Sequence, residues 1–124
     1  MSRFRIITAL FLTLALAVPA VGHEAAKGRN GGLRVDAGKY HTEILLDGST
    51  TVVVFLSDTD DKLVPAAGFK GTAILVINGK SERFALEPAD GSRLVGTAPA
   101  PVKADTKGVV QLTAPDGATA QGKF

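Results

Sequence analysis

The sequence predicts an all-β protein, and three observations carry that expectation. Beyond residue 30 no apolar pattern repeats at helical period, which a helix packed on a core would show. Short runs rich in β-branched and aromatic residues recur instead, as in TTVVVFL and TAILVI, and such runs read as strands. Turn signals separate them: Asp47-Gly48, Asn78-Gly79, Asp90-Gly91 and Pro115-Asp116-Gly117, pairs that supply the positive φ angles of tight turns. About seven strands at intervals of roughly 8–12 residues point to a small antiparallel β-sandwich of immunoglobulin-like type.

From the N-terminus, the first element is a cleavable signal peptide over residues 1–22. MSRFRIITALFLTLALAVPAVG has Arg3 and Arg5, an apolar run from Ile6 to Val18 broken only by Thr8 and Thr13, and then small residues. That is the order of a secretory signal, and the run falls short of the roughly 17–25 residues that span a bilayer. Two cleavage points fit, after Ala20 and after Gly22; the second leaves His23 as the first residue. The mature chain is thus expected in the periplasm, with no membrane span. Losing Arg3 and Arg5 leaves twelve basic residues against twelve acidic ones, so the whole-chain net charge of +2 disappears. The charges are interspersed and the seven aromatics form no stacking ladder, which argues against a nucleic-acid partner. With no cysteine, disulfides, thiolate zinc sites and thiol catalysis are excluded.

Residues 23–32 form a polar, glycine-rich segment, HEAAKGRNGG, read as a flexible lead into a domain of residues 33–124. GRNGG opens a strand rather than a helix and is no phosphate loop. ILLDGSTTVVVFL and TAILVINGKSERFAL each read as a hairpin around their turn dipeptide. TAPAPVKADTKG, with Pro99 and Pro101, reads as a polar crossing between sheets. Strand alternation then nominates the core: Ile44, Leu46, Val52, Val54, Leu56, Ile74, Val76, Phe84, Leu86, Leu94, Val110 and Leu112, with Phe124 closing the last strand.

Few polar residues offer chemistry. No Gly-x-Ser-x-Gly elbow supports a Ser-His-Asp hydrolase. SDTDDKLVP begins like a calcium loop but lacks the glycine at its sixth position and the glutamate at its twelfth; it reads as a solvated acidic turn. No enzyme is expected. The two histidines, His23 and His41, remain. A mature N-terminal His23 brings an imidazole and an α-amine of modest basicity to one place. His41 would add a third nitrogen, and copper(II) favours such tetragonal nitrogen and oxygen surroundings. In YHTEILL, His41 and Glu43 are two apart and share a strand face, so His23, His41 and Glu43 are the candidate ligands for Cu(II) or a similar divalent ion. The competing reading puts His23 on a disordered tail, makes His41 a solvent-facing strand residue, and makes the protein a non-catalytic immunoglobulin-like interaction module that docks through an exposed strand edge or loop and binds no metal.

The chain also resembles a group of small exported bacterial β-sandwich proteins related to domains associated with periplasmic adaptor subunits of heavy-metal efflux systems. The resemblance rests on the NGG segment, the Tyr-His-x-Glu strand and PDG before a terminal aromatic, and it spans nearly all of the mature chain. It implies a periplasmic β-sandwich, a role in metal handling, and a partner among efflux-system or other periplasmic proteins. The chain lacks the long hairpin and membrane-fusion modules of an adaptor and has no histidine- or methionine-rich tract. Small exported copper-resistance proteins with an N-terminal histidine offer a second analogy, of architecture alone.

Overall fold

The computed structural model describes residues 25–124, so the predicted signal peptide and His23 lie outside the described residues. Nine strands span them and no described residue is helical: β1 (Ala26–Lys27), β2 (Leu33–Ala37), β3 (Tyr40–Leu46), β4 (Thr51–Asp58), β5 (Lys70–Ile77), β6 (Lys80–Pro88), β7 (Arg93–Thr97), β8 (Gly108–Thr113) and β9 (Thr119–Lys123). All pairings are antiparallel, in the order β1-β2-β3-β4-β7-β6-β5-β8-β9, with β9 returning to β2.

That return corrects the expected architecture. Strands β2 to β9 form a closed eight-stranded barrel with β1 added outside the closure, not an immunoglobulin-like β-sandwich of two open sheets. The closing contact pairs Ala37 with Gly122. A Cβ at position 122 would come within 2.7 Å of the Thr42 hydroxyl and 3.0 Å of a Val35 methyl, so glycine permits the two ends of the wall to meet. The physical reason for the correction is that turn signals specify which consecutive strands pair, whereas twist and curvature over eight strands decide whether the first meets the last. Strands β5, β6 and β7 run as a meander, and β8 returns beside β5, a Greek-key connection.

Each turn signal does join neighbouring strands. Asn78 and Gly79 both have positive φ, 51° and 76°, and set Ile77 opposite Lys80. The same register places Phe84 opposite Ala73 and Leu86 opposite Gly71. With Leu86 facing the core, the inward residues of β5 must be Ala73, Leu75 and Ile77, and these are buried. Ile74 and Val76, expected inside, point outwards instead, and Val76 is 52% exposed. AILVI is apolar at every position, so alternation alone cannot assign its faces; the partner strand does.

The remaining core follows the alternation. Ile44, Leu46, Val52, Val54, Leu56, Leu86, Leu94, Val110, Leu112 and Phe124 are buried, and Phe84 is partly buried against them. Burying each aliphatic side chain contributes about 1.5–3 kcal/mol. The 97–108 connection crosses one end of the barrel rather than bridging two sheets. Its Ala98 and Val102 are buried, and the Val102 N–H donates to the Ser49 carbonyl at 2.9 Å while the Gly48 N–H donates to the Val102 carbonyl at 2.9 Å.

Strand β3 is unusual in being covered on both sides. Thr42, Ile44 and Leu46 face the barrel interior, yet His41 and Glu43 on its outer face are buried as well. Something must lie over them.

Candidate functional site

The short turn after β2 fixes the first half of the site. It pairs Ala37 with Tyr40, which sets Asp36 opposite His41 and Arg34 opposite Glu43. On the other side, β4 sets Ser57 opposite His41 and Phe55 opposite Glu43. Side chains alternate along strands, so all six belong to one outer face.

Two segments fold over that face. The first is the GRNGG loop. The Gly32 N–H donates to Glu43 Oε2 at 2.8 Å, the Asn30 N–H to the same oxygen at 3.0 Å, and Asn30 Nδ2 to Oε1 at 3.0 Å. Gly28 passes so close that a Cβ there would overlap the Glu43 carboxyl group. The glycines and Asn30 thus wrap one carboxylate, and residues 26–32 are fastened to the barrel by the contacts of residues 30 and 32 and by the β1 pairing of Ala26 with Arg34.

The second cover is the turn after β4. Asp58 Oδ1 accepts the N–H groups of Asp60 and Lys62, at 2.8 and 3.0 Å, and Asp61 adopts φ 60°, a conformation that aspartate tolerates better than most residues. This tight bend returns Asp61 over β3. Its Oδ1 lies 2.8 Å from His41 Nδ1 and accepts from Arg34 Nη1 at 2.8 Å, while Arg29 Nη2 donates to its carbonyl at 3.0 Å. On the opposite side of the imidazole, Nε2 lies 3.3 Å from Asp36 Oδ1. The hydrogen bond with His41 holds the Asp61 carboxyl below the ordinary aspartate range, and the Arg34 charge adds to this against the opposing effect of desolvation. The acidic turn predicted from SDTDDKLVP is therefore a turn whose third aspartate belongs to the site.

The candidate ligands sort as follows. His41 and Glu43 share a face as their spacing predicts, but they have separate partners: Glu43 holds the GRNGG loop and His41 stands between two aspartates. His23 lies outside the described residues. Among the described residues, no group of three histidine, aspartate or glutamate side chains is arranged to hold a metal ion, because Asp36 and Asp61 approach opposite nitrogens of the ring. The cleft beside them, lined in part by Arg29, Arg34, Phe55 and Leu63, has a volume of about 170 Å³, small against the roughly 300–1,000 Å³ of small-molecule pockets.

Sequence reasoning missed Asp36, Arg34 and Asp61. A signal existed for the first two: a two-residue turn at Gly38-Lys39 places Asp36 across from His41 and Arg34 across from Glu43. None existed for Asp61, whose contact depends on how far β4 runs before it bends. Comparison with protein-family models, with curated proteins and with solved structures finds no match, and so nothing links the chain to adaptor-associated domains.

Proposed function

We propose that the mature protein is a periplasmic metal-handling protein, a carrier or buffer that binds copper(II) or a similar divalent ion in the service of heavy-metal efflux or resistance. The observation that carries the reading is the way His41 is held. Metal-binding imidazoles almost always donate one ring N–H to a carboxylate, a backbone carbonyl or water, which fixes the tautomer and the ring plane. Asp61, itself braced by Arg34, stands where such a partner would, 2.8 Å from Nδ1.

His23 supplies the amine and second imidazole in this reading. It precedes Ala26 by three residues, a span of up to about 10 Å, and Ala26 sits opposite Arg34, two positions along β2 from Asp36. The alternative is a metal-free interaction module docking through a strand edge, for which β1, outside the closure of β2 with β9, offers the edge.

The test is a titration of the exported protein, its N-terminus first established by intact mass, with copper(II) against a competing chelator. One tightly held ion on a chain beginning at His23, lost by at least about tenfold in affinity in His41→Ala, is the expected result. A chain beginning at Val21, or an unchanged affinity in the variant, would overturn the proposal.

A further inference from the structure

We propose that the outer wall formed by β6, β5, β8 and β9, across the barrel from His41, docks on a membrane surface of acidic phospholipids. The strand register lays out its side chains. Ile74 stands opposite Arg83 on β6 and Val109 on β8, and Val109 stands opposite Lys123 on β9. Towards the Asn78-Gly79 turn, the Val76 N–H donates to the Lys107 carbonyl at 2.9 Å, and Val76, Lys103 and Lys107 line one cleft together with Asp105. Alternation turns Ile74, Val76 and Val109 outwards, because Ala73, Leu75, Ile77 and Val110 are buried. An aliphatic strip is thus edged by Arg83, Lys103, Lys107 and Lys123, all exposed, and Val76 at its end is 52% exposed.

Most acidic groups lie elsewhere. Asp36, Glu43, Asp58 and Asp61 belong to the wall of β2, β3 and β4 and its turn, and Glu82 alternates with Arg83 onto the other face of β6. The next row of the outer wall, Ala85, Thr72, Gln111 and Gln121, is uncharged. The balanced charge of the mature chain therefore conceals a cationic wall. Among the described residues none of its four cations belongs to an ion pair; Arg83 donates to Gln111 at 3.5 Å.

Composition selects the occupant. Protein interfaces gather aromatic side chains at their centre and are depleted of lysine, whereas the centre of this wall is aliphatic and three of its four cations are lysines. Single-stranded nucleic acid calls for aromatic stacking platforms, and none stands here. Aliphatic side chains ringed by lysine and arginine combine the two attractions of interfacial binding: apolar burial at the headgroup boundary and the pull of anionic lipid.

The experiment sediments the processed protein with vesicles of phosphatidylglycerol and phosphatidylethanolamine in equal parts, and with vesicles of phosphatidylcholine alone. Binding to the acidic vesicles only, weakened by added salt, is expected. The double variant Lys107→Gln/Lys123→Gln should bind roughly 25-fold more weakly, at about fivefold per cation. The chain has no tryptophan, so Val76→Trp supplies a lone reporter whose emission should shift to the blue on acidic vesicles. Leu63→Trp, at a 58% exposed position on the His41 wall, should not shift. Equal binding to both kinds of vesicle, an unchanged affinity in the double variant, or a shift at position 63 without one at 76 would overturn the proposal. So would soluble polyglutamate binding as tightly as the acidic vesicles, which would give the wall to an acidic protein segment. Matching thermal unfolding of the variants and wild type excludes misfolding as the cause of any loss.

Discussion

Glu43 and His41 stand two residues apart on the same face of β3, both buried, and their polar atoms are satisfied in opposite ways. Glu43 is a charge surrounded by neutral donors from one loop, two main-chain N–H groups and one amide. His41 is a ring held between two carboxylates from different segments, Asp36 on β2 and Asp61 on the turn after β4. The first arrangement fixes backbone and gains little from rearranging. The second is built from side chains that reach solvent, with Asp61 48% exposed, and can exchange one partner for another. A fixed clamp and an exchangeable cluster thus stand two residues apart on one strand.

The largest effect should come from breaking the Glu43 side. Glu43→Ala leaves the N–H groups of Asn30 and Gly32 without their acceptor, and hydrogen bonds to charged groups contribute about 1.5–3 kcal/mol each. Allowing for water reaching part of the loop, a loss of about 3 kcal/mol is expected in urea denaturation. A loss below about 1 kcal/mol would mean that the loop does not depend on the carboxylate. Gly28→Ala attacks the same clamp from the other partner, since the added Cβ overlaps the carboxyl group; overpacking of this kind costs about 1–3 kcal/mol.

His41→Ala should cost less, about 1–2 kcal/mol for the lost packing of a buried ring, because the two aspartates left behind can turn to water. If it destabilises more than Glu43→Ala, the contrast between a rigid clamp and an exchangeable cluster is reversed. The smallest effect is expected from Asp61→Asn, and it is visible mainly in acid. A carboxyl whose folded pKa is depressed, as that of Asp61 is, contributes stability that is complete above the ordinary aspartate range and is lost as pH falls through the lowered folded value. Thermal unfolding followed from about pH 5 towards pH 2 should therefore show wild type losing its advantage over the variant; a constant difference across that range would remove Asp61 from the cluster.

How much of this was legible depended on the distance over which each feature is decided. Asp47-Gly48 and Asn78-Gly79 each act within four residues, and both hairpins form as read. Phe84 and Leu86 alternate with charged or small neighbours and were assigned to the core correctly. Val76 was not, since its own run carries no alternation and only the pairing with Ser81 turns it outwards. His41 and Glu43 could be placed on one face by spacing, but that each would be buried, and beneath which segment, could not.

The sequence by itself determined that the chain is all-β, that hairpins form around Asp47-Gly48 and Asn78-Gly79, and that His41 and Glu43 share a strand face, because backbone preference and alternation are local properties. Only the tertiary structure decided that the wall closes, that β5 turns Val76 outwards, that Glu43 serves the GRNGG loop, and that Asp61 reaches His41 from twenty positions away. Those outcomes depend on twist accumulated over eight strands and on a turn folding across a sheet. Both are sums over contacts remote in sequence, which no single stretch of residues contains.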